Sequence, residues 1–328
     1  MKTPTHMDAI VIREAGGPEV LKIEKIPVPQ PKAGHILIKV KAFGLNRSEL
    51  FTRQGHSPNV RFPRVLGIEA TGIVAAAPGG EFEAGTPVAT AMGGMGRQYD
   101  GSYAEYVQVP AGQVLPMKTE LDWETVGALP EMLQTAWGSL YYALKLESGQ
   151  SLLVRGGTTS VGLAAIAIAK KRGVTVLATT RKMDRTQLLT DVGVDHVVEE
   201  TGTIANALKG IFPKGVDKVL ELVGTTTLED SLQCAAPGGS VCMTGMVGGS
   251  WSFKDFSPMA SIPHAVNLTT YSGGPNDFMR TPLQELLEQV ERGELPVTVG
   301  KVFKLTDIVE AHACMEENRA GGKIVVLP

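Results

Sequence analysis

Cysteine, aromatic residues and long apolar runs are scarce in this sequence. Three of the 328 residues are cysteines (Cys234, Cys242 and Cys314), and none lies in a C-x-x-C pair. An odd, scattered count argues against a disulfide framework and favours a reducing compartment. The most apolar segment, residues 161–169, is too short to cross a bilayer, and the first residues contain no apolar stretch of signal-peptide length. We therefore expect a cytoplasmic protein with no membrane partner.

The charge balance excludes a second class of partner. The formal net charge is −3, and the sequence has no long basic run, so nucleic acid is a poor partner. Hydrophobic residues make up 43% and charged residues 20%, which is typical of a folded globular protein. A chain of this length usually forms two domains, each with its own core.

The sequence pattern changes near Trp123. Before it, β-branched runs such as "DAIVIRE" (8–14), separated by Pro and Gly, predict a β-rich domain. After it, apolar strands alternate with helices, which predicts an α/β domain with a doubly wound, parallel six-stranded Rossmann sheet. The predicted strands are 151–155, 174–180, 195–198, 218–223, 240–244 and 267–272. We expect a Rossmann domain at 128–273, with 274–328 returning to the first domain at 1–127.

The loop after the first sheet strand, "VRGGTTSVG" (154–162), lacks the common G-x-G-x-x-G fingerprint. Gly157 still lets the chain turn sharply. The N–H groups near Thr159, Ser160 and Val161, with the helix dipole, favour a pyrophosphate. A glycine-rich turn that binds nothing is the alternative, but the place of the loop in an alternating domain favours a dinucleotide.

The end of the second sheet strand distinguishes the two nicotinamide cofactors. NAD sites tend to carry an acid there to bind the ribose 2′-hydroxyl. This strand ends in Thr180 and Arg181, followed by Lys182 and Arg185, with no acid at its tip. A hydroxyl and a guanidinium suit a 2′-phosphate, so the sequence favours NADPH over NADH. A solvated basic helix start is the alternative.

Eight motifs, weak singly but specific in order and spacing, span nearly the whole chain. They are "GGPEVL" (16–21), "GLNRSELFTRQG" (44–55), "FPRVLGIEATGIV" (62–74), "GSYAEYVQVP" (101–110), "GGTTSVG" (156–162), "VLELVG" (219–224), "GGSVCMTG" (238–245) and "GGKIVVLP" (321–328). With them the chain resembles the zinc-free quinone oxidoreductases of the medium-chain dehydrogenase/reductase superfamily, the group that includes zeta-crystallin. The resemblance implies a GroES-like substrate domain, a Rossmann domain, a cleft between them, and usually a homodimer.

Zinc-dependent relatives carry Cys-His-Thr-Asp and Gly-His-Glu where this chain has Asn46-Arg47-Ser48-Glu49 and Gly67-Ile68-Glu69. A catalytic zinc needs three strong protein ligands, and at most Glu69 remains. We therefore expect no metal.

The resemblance also implies the site residues. Asn46, at the lost zinc-ligand position, can donate to an oxyanion, with a turn-stabilising asparagine as the alternative. Phe51 stands where the family places a Tyr or another aromatic over the pocket, and Tyr271 is the nearby phenol to test as proton donor. Glu200 stands where relatives often carry a Tyr on the adenine side. The remaining implied cofactor contacts are Thr135, Val223, Gly245, Met246 and Ser272.

Without a metal to polarise an alcohol, an electron-poor acceptor is the better substrate. The first hypothesis is therefore an NADPH-dependent quinone oxidoreductase, with direct hydride transfer to the acceptor. The second is an NADPH-dependent reductase of activated C=C bonds in enones or enoyl thioesters. The third is a non-catalytic NADPH-binding protein.

Overall fold

The computed structural model describes residues 3–328, which fold into two units. The β-rich unit comprises the chain up to Gln134, Gly273–Glu291 and Thr298–Pro328. The α/β unit comprises Thr135–Ser272 and Arg292–Val297.

The described residues form sixteen strands and eleven α-helices. The strands are β1 (His6–Ile12), β2 (Lys22–Pro27), β3 (His35–Gly44), β4 (Arg64–Val65), β5 (Glu69–Ala76), β6 (Pro87–Ala91), β7 (Tyr106–Pro110), β8 (Val114–Pro116), β9 (Ser151–Arg155), β10 (Thr175–Thr180), β11 (His196–Glu199), β12 (Val216–Glu221), β13 (Ala235–Met243), β14 (Asn267–Thr270), β15 (Val299–Lys304) and β16 (Lys323–Leu327). The helices are α1 (Arg47–Arg53), α2 (Trp123–Gly127), α3 (Pro130–Trp137), α4 (Ser160–Lys171), α5 (Thr186–Asp191), α6 (Ala205–Ile211), α7 (Thr225–Cys234), α8 (Pro258–Ser261), α9 (Pro275–Arg280), α10 (Leu283–Glu291) and α11 (Ile308–Glu316). None of the helices within residues 3–328 has the length and apolar character needed to cross a membrane.

The β-rich unit is built around strand β3. Its larger sheet has the order β15-β16-β3-β5-β6-β8, with β7 also paired to β3, and a smaller sheet has the order β2-β1-β4. Ile36, Leu37 and Ile38 are consecutive and all buried, so both faces of β3 are covered. The final strand β16 runs antiparallel to β3 and parallel to β15. The two strands nearest the end of the chain thereby join a sheet whose other strands come from residues 35–116.

The α/β unit contains a six-stranded parallel sheet of order β11-β10-β9-β12-β13-β14. The chain runs outward from β9 to β11 and then crosses to β12, so the strand order reverses next to β9. In open sheets of this kind ligands bind beyond the carboxyl ends of the strands at such a reversal. Every residue of β9 is buried, and so are residues 162–169 of α4, as expected for elements covered on all sides.

The predicted α/β fold class is confirmed, and β9 has the predicted bounds. The largest difference is at β13, predicted at 240–244 and observed at Ala235–Met243. Ala235 pairs with Val216 before the register shifts, because Pro237 and the positive-φ Gly238 interrupt the ladder. The segment after Asp122 forms two helices, α2 and α3, and the second begins at Pro130.

Candidate functional site

The loop after β9 lies tightly on strand β10. The N–H of Gly156 donates to Thr179 Oγ1 at 3.0 Å, and the N–H of Gly157 donates to the Thr179 carbonyl at 3.1 Å. Gly156 has a φ of +86°. A Cβ on Gly157 would lie 2.7 Å from the Cβ of Ala178, and one on Gly162 would lie 2.6 Å from the Gly156 carbonyl oxygen. This backbone path therefore requires small residues at both positions.

Thr159 begins helix α4 as its N-cap. Its hydroxyl accepts from the Gly162 N–H at 3.0 Å and donates to the Gly156 carbonyl at 2.8 Å. The Thr159 hydroxyl is thus used within the loop. The N–H groups of Ser160 and Val161 precede the first intrahelical hydrogen bond and remain directed out of the helix end. These N–H groups and the helix dipole suit a pyrophosphate.

The end of β10 presents basic side chains to solvent. The Thr180 hydroxyl, which is buried, donates to the Lys182 carbonyl at 3.0 Å and accepts from the Lys182 N–H at 3.2 Å, closing a tight turn. Arg181 and Lys182 are exposed, and neither forms a salt bridge within the described part of the chain. Arg185 ends the following 3₁₀ turn, Met183–Arg185, and is half-buried. The arrangement leaves at least two cations for an anionic ligand.

A buried arginine lies beneath this edge of the sheet. Arg155, the last residue of β9, is 0% exposed and binds Glu200 through two hydrogen bonds of 2.8 Å. It also donates to Asp230 in α7 at 2.7 Å and to the Gly202 carbonyl at 3.0 Å. Burial opposes its charge, but the carboxylates of Glu200, Glu221 and Asp230 together outweigh burial and raise the pKa of Arg155. The sequence did not predict this cluster, although an arginine directly after the apolar run of residues 152–154 signals a buried partner.

Glu221, at the end of β12, orients the next loop. Its carboxylate accepts from the N–H groups of Val223 at 2.6 Å and Gly224 at 2.9 Å, and from the Thr227 hydroxyl at 3.1 Å. Burial raises the pKa of this carboxyl. Gly224 has a φ of +104°, so the carboxylate holds a turn that favours glycine. Glu221 was not among the predicted site residues.

The structure brings several predicted contacts of the α/β unit to one end of its sheet. Gly245 and Met246 follow β13, and Tyr271 and Ser272 follow the neighbouring β14. The Ser139 hydroxyl, which donates to the Thr135 carbonyl at 2.7 Å, lies 2.9 Å from Thr244 Oγ1.

Tyr271 is almost fully buried, and its ring lies directly on Gly138. A Cβ at Gly138 would be 2.1 Å from the Tyr271 hydroxyl oxygen. The tyrosine ring therefore needs glycine at position 138.

In the β-rich unit, Asn46 is the centre of a buried polar cluster. Its side-chain N–H donates to Glu69 at 2.9 Å, and its carbonyl oxygen accepts from the Lys323 ammonium at 2.6 Å. A second, longer contact of 3.4 Å joins its amide to the Gly44 carbonyl. Burial opposes the Lys323 charge, but Glu69 and Glu131 outweigh it and raise the pKa of Lys323. Asn46 can donate to an oxyanion only if it gives up the longer contact.

A second buried cluster adjoins Asn46 through Glu49. The Glu49 carboxylate accepts from the N–H groups of Asn46 at 2.7 Å and Ile68 at 2.8 Å, and from the Tyr103 hydroxyl at 3.0 Å. Tyr103 in turn contacts Nε2 of His312 at 3.0 Å. Burial raises the pKa of Glu49 to about 7 and, with a nearby arginine charge, lowers that of His312 to about 3.

The tautomer of His312 follows from its other neighbour. Arg53 lies 3.2 Å from Nδ1, and a guanidinium has only donors, so Nδ1 accepts. The proton is then on Nε2, which donates to the Tyr103 oxygen, and Tyr103 donates to Glu49. His312 is completely buried in α11.

Phe51 is half-buried in α1, with its ring centroid 6.5 Å from that of His56.

The side chains around Asn46 do not fit a catalytic zinc. The ammonium of Lys323 lies 2.8 Å from Glu69, the one strong metal ligand left at this place. A divalent cation beside this buried ammonium would be repelled. Across residues 3–328 no three His, Cys, Asp or Glu side chains are grouped so that they could hold a metal ion.

Comparisons with known proteins agree with this architecture. Residues 32–119 match the alcohol dehydrogenase GroES-like domain, and residues 192–326 match the family described as zinc-binding dehydrogenase. The quinone oxidoreductase of Pongo abelii is 30% identical over 98% of both chains. A 2-haloacrylate reductase of Burkholderia is 26% identical over 98% of both chains. A mycobacterial protein solved in complex with NADPH has a TM-score of 0.87 and 29% identity over 98% of this chain and 100% of that one. On this full-length similarity, the chain belongs to the quinone oxidoreductase family of the medium-chain dehydrogenase/reductase superfamily, as its motifs predict.

Proposed function

We propose that this protein is an NADPH-dependent quinone oxidoreductase that reduces its acceptor without a metal. The observation that carries the proposal is the set of donors around Asn46, where an amide and an ammonium replace the ligands that a zinc requires. A site without a Lewis acid suits an acceptor that is already electron-poor. Quinone oxidoreductases that match along nearly the whole chain support the same chemistry.

The α/β unit is the proposed NADP(H)-binding domain, and the β-rich unit the proposed substrate domain. NADPH supplies the hydride when it is bound. The N–H groups of Ser160 and Val161 suit its pyrophosphate, and the exposed Arg181 suits its 2′-phosphate. The NADPH complex of a 29% identical mycobacterial protein supports this cofactor.

The proposed roles of the remaining residues are positioning and proton transfer. Gly245, Met246 and Ser272 follow neighbouring strands and are the proposed nicotinamide contacts of the α/β unit, with Thr135. Tyr271 is the proposed proton donor. In the β-rich unit, the proposed roles are an oxyanion donor for Asn46 and an aromatic wall for Phe51.

The cellular context is part of the proposal. All three cysteines are buried free thiols, which supports a reducing, cytoplasmic environment. A homodimer is the assembly that the resemblance implies. The negative net charge supports a small-molecule partner over nucleic acid.

A second candidate is reduction of an activated C=C bond, which the similarity to a 2-haloacrylate reductase favours. A panel of acceptors distinguishes the two, with NADPH or NADH and with or without a chelator. Oxidation of NADPH by 1,4-benzoquinone or 9,10-phenanthrenequinone, unaffected by the chelator, is the expected result. Turnover of 2-alkenals or enones but not quinones would assign the second function. Loss of activity on chelation, or binding of NADPH with no turnover, would overturn the proposal.

A further inference from the structure

The buried Arg155 lies at the carboxyl end of strand β9, close to the end of β10, and has no direct part in the proposed hydride transfer. Arg155 lies directly before Gly156, and its guanidinium joins the segment after β11 to helix α7, which follows β12. Its five N–H groups reach Glu200, Asp230 and the carbonyls of Gly202 and Thr227. A guanidinium so fully bonded holds its partners in one geometry.

Among the partners of Arg155, Glu200 lies beside the end of strand β10, where the 2′-phosphate is proposed to bind. Strands β10 and β11 are paired in parallel, and the N–H of Glu200 donates to the Thr180 carbonyl at 2.9 Å. Glu200 is therefore the neighbour of the strand tip that presents Arg181. A free carboxylate beside this tip would repel a 2′-phosphate. Here both of its oxygens are bound to Arg155 instead.

We infer that Arg155 determines the preference of this chain for a 2′-phosphorylated dinucleotide by binding both oxygens of Glu200 and holding this carboxylate beneath the strand tip. Arg155 is in this sense a positioning residue, because it acts through Glu200 and not through contact with the cofactor. The inference rests on the proposed use of NADPH. Part of the preference for NADPH over NADH then comes from the buried pair of Arg155 and Glu200, in addition to the exposed Arg181 and Lys182.

Direct binding tests the inference. Dissociation constants for 2′,5′-ADP and 5′-AMP are measured by calorimetry, and those for NADPH and NADH by fluorescence, in wild type, Arg155→Met, Glu200→Gln and the double variant. Arg155→Met should lose on the order of tenfold in affinity for 2′,5′-ADP and NADPH, because the released Glu200 carboxylate would repel the nearby 2′-phosphate dianion. Affinity for 5′-AMP and NADH should change less than about threefold, and the loss should shrink at high salt.

The double variant should bind NADPH within about threefold of wild type, since it removes the carboxylate beside the strand tip. Asp230, the other carboxylate that Arg155 binds, still accepts from the N–H groups of Ile204 and Ala205. Glu200→Gln alone keeps the arginine and should retain or raise the ratio of NADPH to NADH affinity. This variant keeps the inference testable if Arg155→Met does not fold. Arg172→Met, which removes an exposed cation at the other end of α4, is the matched charge control and should change neither affinity.

Equal losses for both cofactors in Arg155→Met, or a lower NADPH to NADH ratio in Glu200→Gln, would overturn the inference. It would also be overturned if wild type bound 5′-AMP as tightly as 2′,5′-ADP. Failure of the proposed function has a different signature. Wild type would then prefer 2′,5′-ADP, with the variants behaving as expected, but would reduce no quinone.

Discussion

Glu49 and His312 make opposite contributions to the pH dependence of stability. Both are buried and are joined through the Tyr103 hydroxyl. Burial raises the pKa of Glu49 from 4.5 to about 7 and lowers that of His312 from 6.5 to about 3. Replacing either residue should expose the pH dependence that the other one causes.

The sign for Glu49 follows from proton binding. Between pH 4.5 and 7 the unfolded chain has released this proton and the native chain still holds it, so the free energy of unfolding falls as pH rises. The contribution is complete below pH 4.5 and lost by about pH 7. The full loss is about 3 kcal/mol, because each pKa unit corresponds to about 1.4 kcal/mol.

The sign for His312 is the reverse. The unfolded chain binds this proton as pH falls below 6.5, while the native chain stays neutral down to about pH 3. Stability is therefore complete above pH 6.5 and is lost on acidification, by about 5 kcal/mol in full. Between pH 4.5 and 6.5 the two slopes cancel in the wild-type protein.

Glu49→Gln should remove one slope and leave the other. We expect the free energy of unfolding of this variant, relative to wild type, to rise by about 3 kcal/mol from pH 4.5 to 6.5. The measurement is urea unfolding followed by circular dichroism at several pH values. His312→Gln should show the opposite slope, and Glu14→Gln, at an exposed glutamate of the same unit, should follow wild type. Parallel curves for Glu49→Gln and wild type over this range would refute the reasoning, whatever constant loss of stability the variant shows.

Three further predictions concern the basic residues after β10, the loop after β9 and the buried Lys323. Arg181→Ala with Arg185→Ala should weaken NADPH binding about tenfold or more and leave NADH little changed in a fluorescence titration; equal weakening would contradict a 2′-phosphate site. Gly157→Ala should destabilise the protein by about 1–3 kcal/mol in chemical denaturation, because its Cβ meets the neighbouring strand at 2.7 Å, and an unchanged midpoint would show that the loop can move away. Lys323→Met should lower the free energy of unfolding, measured by chemical denaturation, by about 3–5 kcal/mol, because it leaves Glu69 buried without its cation. Adding Glu69→Gln should recover part of this loss, and no recovery would argue against the ion pair as the cause.

Local pattern was enough to predict the α/β architecture and the glycine-rich loop that follows its first strand. Strand β9 has the predicted bounds because all five of its residues are buried between helices, and a short apolar run next to a glycine-rich loop shows this in the sequence. Strand β13 was predicted too short because a Pro-Gly-Gly interruption conceals a residue that still pairs. The exchange of zinc ligands for Asn46 and Ile68 is likewise a property of residue type at a given position.

Side-chain partners were decided by tertiary structure. Arg155 meets Glu200 and Asp230 only because strands and helices distant in sequence reach the same edge of one sheet. Lys323 meets Asn46 only because the last strand pairs with β3. A buried charge must have a partner, and the sequence shows only that Arg155 and Lys323 need one. Which residue becomes the partner depends on sheet register and helix packing, which the tertiary structure decides.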